Sequence, residues 1–519
     1  MTYSLDAAAI GDFSRVLIFP PAAIATADVA VVGIYLLITV AIGFWVGRGQ
    51  KDLSDYLLGD RNLPWWAVLG SIVATETSTA TVLSIPGWAY AKDGDFRGLQ
   101  LAMGYVVGRV LVAMILLPQY FRGELFTSYE VLNRRFGGAT KTTASLLFLL
   151  TRTTGDGLRL FLAALVLSKF AEMPLPAAIA VMGVVTIVYT VFGGMRSVVW
   201  NDCVQLVVYL AGGFVALAVI LDRLPGGWDG LIAFGRETER WQVFDFSTTL
   251  EDAYTFWAGL IGGAFLTLGT HGTDQLTVQR LLSARNQRDA GRALVLSGIV
   301  VLLQFALFLL IGLALAAYFH VSPPEMPIAS NDEAFATFIV EDMPVGLCGL
   351  MLAAVFAAAM STLSSSLNSS AASASNDLIV PLLKDRSPGR LLTLGRVLTV
   401  LFGVAQVGVA LAADSVIAAV AAKGGNVVET VLAIASFTTG IILGVFGLGV
   451  FTTRVSQPAA LVGFLAGAAA TVAVRIVGMR TDFDLAWPWY AFVGATATFA
   501  VGYAASFMLP NRRPGEPQA

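Results

Sequence analysis

The sequence predicts an all-α integral membrane protein, and three observations carry that prediction. Hydrophobic residues make up 56% of the 519 residues, and charged residues only 13%. The mean hydropathy is +0.75, more apolar surface than a water-facing shell could cover. Apolar runs of about 20 residues recur between short charged connectors, the length a helix needs to cross hydrocarbon. Backbone groups in lipid must pair within their own segment, so such runs are helices.

About thirteen spans are predicted from these runs: 28–47, 64–91, 99–121, 142–168, 174–193, 201–221, 253–279, 292–319, 345–373, 391–412, 424–451, 456–477 and 486–508. They make one transmembrane domain over 28–508, with an extracellular segment 1–27 before it and a cytoplasmic tail 509–519 after it. The first run begins near Asp28 and reads as a retained span rather than a cleaved leader. Spans 64–91, 253–279 and 345–373 hold Gly, Thr, Ser or ionisable residues at mid-depth. The rest are plainer.

Basic residues in short loops set the orientation. Placing the N-terminus outside makes cytoplasmic the connectors with Arg48, Lys51 and Arg61, with Arg122, Arg134, Arg135 and Lys141, and with Lys384, Arg386 and Arg390. Arg280, Arg285, Arg288 and Arg292 fall on the same side, and so does the Arg512-Arg513 tail. The largest outer connector, about 222–252, mixes Arg223, Arg236 and Arg240 with acids. A plasma membrane, or the inner membrane of a bacterium, is the expected location. The net charge of −3 gives no reason to expect nucleic acid. Cys203 and Cys348 sit in or beside apolar runs, where packing is the expectation rather than a disulfide or zinc site.

Charge at mid-membrane is costly, so intramembrane polar clusters are where function is sought. The span at 64–91 carries Ala74-Thr75-Glu76-Thr77-Ser78-Thr79-Ala80, which a straight lipid-facing helix would not tolerate. It predicts a broken helix whose freed carbonyls and hydroxyls can meet a cation or a solute, and Pro86-Gly87 weakens continuity further. A Ser/Thr packing face is the alternative, against which Glu76 argues. The span at 345–373 places Ser361, Ser364 and Ser365 at i, i+3 and i+4 with Thr362 beside them, an oxygen-rich face suited to a hard monovalent cation. Close packing through Ala and Ser explains the same pattern.

Arg152, Asp156 and Arg159 share one helix face, as an anion-receptive patch or as a brace, with Arg109 a candidate partner. Asp202 begins a span and Asp274 ends one, as helix caps or inner-gate ion pairs. His271 stands inside the motif HGTDQLTVQR. No phosphate-binding loop, HExxH zinc motif or GxSxG elbow occurs, so an enzyme is not expected.

Together, DRNLPWWAVLGSIVATE, GGMRSVVWNDCVQ, GTDQLTVQR and AAAMSTLSSSLNSS resemble the sodium:solute symporter family. The resemblance runs over about residues 28–508, and the family's members include transporters of sugars, proline, sialic acid and monocarboxylates. It implies a leucine-transporter-like core of two inverted five-helix repeats, at about 64–221 and 253–451, each opened by a broken helix. It implies a shared sodium site built from the carbonyls of Ala74, Thr77 and Ala358 and the hydroxyls of Ser361 and Thr362. In some members a second sodium uses residues that match Asp202, Ser364 and Ser365.

Solute or gate candidates are then Glu76, Ser78, Thr81, Arg152, Asp156, Arg159, Thr267 and His271. Thr81 and about Ala102 stand where sugar carriers have Gln and Glu, which disfavours a sugar of that kind. The implied function is sodium-coupled import of a small organic solute by alternating access, with sodium as the co-transported ion. No oligomeric state is implied. The rivals are proton coupling on the same fold through Glu76, Asp156 or His271, a solute sensor, and a channel.

Overall fold

The computed structural model describes residues 25–123, 125–170, 173–324, 328, 330–421, 427–481 and 483–509. Most of the expected outer N-terminal segment and the Arg512-Arg513 tail lie outside the described residues. The described chain is almost entirely helical. In order, the main helices are α1 (Thr26–Val46), α2 (Trp65–Glu76), α3 (Thr79–Tyr90), α4 (Leu99–Tyr120), α5 (Gly138–Phe170), α6 (Leu175–Arg223) and α7 (Gly263–Gly272). There follow α8 (Gln275–Leu282), α9 (Gln287–Val321), α10 (Leu347–Ser373), α11 (Pro388–Ala421), α12 (Val427–Phe451), α13 (Gln457–Arg480) and α14 (Trp489–Ala505).

Among the described residues, seven helices are long and apolar enough to cross a bilayer, and the bent pair at 65–90 makes an eighth candidate. Other expected spans are helical without meeting that standard. One is α5, which carries Arg152, Asp156 and Arg159 within its length.

The two expected spans 174–193 and 201–221 fall in one helical run, α6, that turns back on itself. Gly194 sits at φ 55°, ψ −154°, a backbone region that only glycine enters freely. Ser197 Oγ lies 3.4 Å from Tyr189 O, whereas eight residues of straight helix would separate them by about 12 Å. The chain therefore reverses at Gly194 and α6 has two arms.

Small residues set how closely the helices pack. In lipid there is no hydrophobic drive between helices, and close backbone approach supplies dispersion contacts instead. Gly104-Tyr-Val-Val-Gly108 on α4 faces the π-turn Ala258–Gly262 and α7. A Cβ at Gly104 would come within 2.0 Å of Gly259 O, and one at Gly108 within 2.7 Å of Ala264 O. The arms of α6 pack along α10 and α1, α9 lies against both α2 and α3, and α5 lies against α11. The last helix, α14, packs on both α12 and α13.

The connector at about 222–252, expected on the outer side, is ordered rather than loose. It holds a short helix, Gly227–Glu237, followed by Arg240, which the sequence pattern counts among the connector's mixed charges. Arg240 is instead 9% exposed. Its guanidinium donates to the carbonyls of Ala89 and Ala91 at 2.7 Å and of Lys92 at 2.8 Å, capping the end of α3. A helix C-terminus leaves carbonyls unpaired and attracts a cation, which explains the placement.

Candidate functional site

The first broken helix breaks at Thr77-Ser78, and local chemistry explains why. Thr77 takes φ −80°, ψ 98° while its Oγ1 bonds back to Val73 O at 2.9 Å. Ser78 then opens α3 through a reciprocal capping box with Thr81. Hydroxyls that compete with the backbone make this the weakest point of the helix. The halves α2 and α3 are bent by 63°. Pro86-Gly87 does not break the helix: α3 continues through both, held against α9, where Gly312 packs on the Pro86 carbonyl.

The break leaves the last carbonyls of α2 without helical partners. From α10, Thr362 Oγ1 lies 3.1 Å from Thr75 O and 3.3 Å from Ala358 O. Ala74, Thr77, Ala358, Ser361 and Thr362 are all buried. The segment Ala74–Thr77 thus faces the turn Ala358–Thr362, bringing together residues far apart in sequence.

Beneath this seam lies Asp202, on the second arm of α6. It is fully buried and sits well inside the helix, so it is not a cap. Its Oδ1 accepts from Ser361 Oγ at 2.6 Å, and its Oδ2 from Ser71 Oγ at 2.5 Å and Thr75 Oγ1 at 3.3 Å. Arg280 on α8, counted from sequence among loop charges, is 1% exposed. It donates to Ser71 Oγ at 2.8 Å, reaches Asp202 Oδ2 at 3.5 Å, and hydrogen-bonds Ser365 Oγ. Of the residues expected around a second cation, Asp202 and Ser365 share this guanidinium. Ser364 Oγ turns to Ser361 O at 3.2 Å instead.

A cavity of about 230 Å³ opens beside the break. Its wall includes Glu76, Ser78 and Thr81 from the broken helix, Arg152, Asp156 and Arg159 from α5, and Thr267 and His271 from α7. Every one of the sequence-derived solute or gate candidates therefore lines one space.

The partners differ from those expected. Arg109 does not brace Arg152: it forms an ion pair with Glu76, donates to Ser297 Oγ at 3.0 Å and lies 3.2 Å from His271 Nε2. Arg152 pairs with Asp274 at 2.5 Å, and Asp156 with Arg159 at 2.6 Å. Asp274 also accepts from Leu276 N at 2.8 Å, so it caps α8 at the break between α7 and α8. Glu76, Asp156, Asp202 and Asp274 each have an arginine partner. An unpaired charge at this depth would be far more costly than a paired one.

A model of the sodium:solute symporter family matches residues 56–467. The chain belongs to the sodium:solute symporter family. It is 30% identical to the human sodium/iodide cotransporter over 86% of this chain and 69% of that protein. It is also 30% identical to the sodium/sialic acid symporter of Aliivibrio fischeri, over 92% of each. The structure of a Na+-coupled sialic acid symporter in its substrate-bound outward-open state superposes with a TM-score of 0.83, at 25% identity, over 94% of this chain and 99% of that one. This symporter is thus a sodium-coupled membrane transporter with the leucine-transporter-like fold, not an enzyme.

Gln304 was not singled out from sequence, although one signal was there: a lone amide in the apolar run VLLQFALFLL, where a polar group is costly. It lines the cavity and touches Thr77. The roles of Arg109 and Arg280 carried no local signal, because their partners lie on other helices.

Proposed function

We propose that this symporter carries a small monovalent anion, with sodium bound by the carbonyls of Ala74, Thr77 and Ala358 and the hydroxyls of Ser361 and Thr362. The observation that carries the solute class is the charge balance around the cavity. Each carboxylate there already has its own guanidinium. Glu76 has no free charge for a substrate ammonium. One sodium ion adds one positive charge to a buried, neutral site, and a monoanion restores neutrality where charge is most expensive. The relatives named for iodide and for sialic acid carry solutes that are monoanions at neutral pH.

The sodium reading is supported by the Thr362 hydroxyl of α10 meeting the freed Thr75 carbonyl at the end of α2, between the proposed ligands Ala74 and Thr77. Sodium drawn into this seam stabilises the form with an assembled solute cavity, and ion and solute each bind better with the other present. The inner ion pairs, Arg152–Asp274 and Arg280–Asp202, must part for release. The N-terminus is placed outside and the C-terminus in the cytoplasm, in a plasma membrane.

The test is uptake into proteoliposomes of iodide, lactate, N-acetylneuraminate, proline and glucose, with and without an inward sodium gradient. Sodium-driven uptake of an anion is the expected result. Sodium-driven uptake of proline or glucose without any anion overturns the solute class. Uptake driven by protons alone overturns the sodium site.

A further inference from the structure

Gln304 lies midway along α9 and is 2% exposed. A primary amide buried in an apolar helix is costly unless its donors and acceptor are met. The head of Gln304 reaches the helix break: Nε2 donates to Thr77 Oγ1 at 2.8 Å, and Oε1 lies 3.1 Å from the same hydroxyl. From the second arm of α6, Tyr209 OH lies 3.3 Å from Thr77 Oγ1 and 3.4 Å from Gln304 Oε1.

Proton accounting shows what this triangle leaves over. The Thr77 hydroxyl donates to Val73 O, the Tyr209 hydroxyl to Gln304 Oε1, and one Gln304 amide hydrogen to Thr77 Oγ1. Each hydroxyl then donates once, but a primary amide has two hydrogens. The second meets no protein acceptor among the described residues, while Gln304, Thr77 and Ser78 all line the cavity. Thr77 is also the residue whose backbone leaves the helix, so anchoring its side chain restrains the peptide that presents its carbonyl.

We propose that Gln304 is a positioning residue that links solute to sodium. Its spare amide hydrogen is donated to an acceptor atom of the anionic solute. The same amide holds Thr77 at the break and keeps the Thr77 carbonyl aimed at the ion. The inference rests on the sodium site proposed above. Because the link is thermodynamic, solute tightens sodium and sodium tightens solute by the same factor.

Binding of radioactive sodium to the purified full-length protein tests this. Gln304→Leu and Thr77→Val should each raise the half-saturating sodium concentration by about fivefold or more, the low end of typical coupling. The double variant should be no worse than the weaker single variant, because both remove one interaction. Thr77→Ser, which keeps the hydroxyl that meets Gln304, should lose less sodium affinity than Thr77→Val.

Potassium iodide, potassium lactate and potassium N-acetylneuraminate serve as anion probes. At least one should tighten sodium binding in the parent, and Gln304→Leu should abolish that gain. Unchanged sodium binding in Gln304→Leu, additive effects in the double variant, or no gain from any probe overturns the proposal. A parent protein without saturable sodium binding overturns the sodium site itself, a separate outcome.

Discussion

Arg280 and Asp202 are where single residues bear most directly on ion coupling. The guanidinium occupies oxygens of Asp202, Ser71 and Ser365, and a second sodium at Asp202, Ser364 and Ser365 has to compete with it. Two cations on one buried carboxylate repel strongly at low dielectric. Arg280→Gln should therefore lower the sodium half-saturation by about tenfold, equivalent to about 1.4 kcal/mol, and steepen the sodium dependence of uptake. An unaltered sodium titration in that variant would show that Arg280 does not guard the site. The Glu76–Arg109 pair makes the opposite case. Removing Arg109 leaves the Glu76 carboxylate, 24% exposed toward the cavity, without its counter-charge at membrane depth, so Arg109→Ala should cost up to about 3 kcal/mol. A loss of folded protein on size exclusion, with partial recovery in Glu76→Gln/Arg109→Ala, is the expected reading.

At the scale of elements, one contact bears on each broken helix. Gly104 and Gly108 let α4 approach the π-turn and α7 to backbone distance. Gly108→Leu must push the helices apart, and overpacking of this kind costs about 1–3 kcal/mol. Its midpoint of thermal aggregation should fall, while a surface change on the same helix, Val107→Leu, should leave it unmoved. Arg240 ties the 222–252 connector to the end of α3 by hydrogen bonds to successive carbonyls. Arg240→Ala should slow uptake, because α3 loses its cap, yet leave the sodium half-saturation as in the parent, since no proposed sodium ligand is touched. A changed sodium half-saturation would mean that the outer connector reaches further into the ion site than these bonds imply.

For the whole molecule, the membership of the family and the fold are established, and the orientation is open to direct measurement. With Cys203 and Cys348 replaced, a single cysteine at Arg386, between α10 and α11, should resist a membrane-impermeant maleimide in intact cells. One at Trp228, in the outer connector and 48% exposed, should react. The reverse pattern would invert the topology and with it the direction of sodium entry.

Much of this architecture is legible in one dimension. Span length and apolarity follow from the thickness of hydrocarbon, and the break at Ala74–Thr79 follows from a run of hydroxyls that compete with the helical backbone. The hydroxyl face of Ser361, Ser364 and Ser365 follows from helical spacing alone. Those are local properties, and local physics reports them. Partnership is another matter. That Glu76 belongs to Arg109, that Arg152 belongs to Asp274, and that Arg280 leaves the loop to meet Asp202 depends on which helices cross at which depth. Small-residue packing and the reversal at Gly194 decide those crossings. A buried charge accepts whichever opposite charge the fold brings within reach, so only the tertiary structure could say that every carboxylate at the cavity is already neutralised.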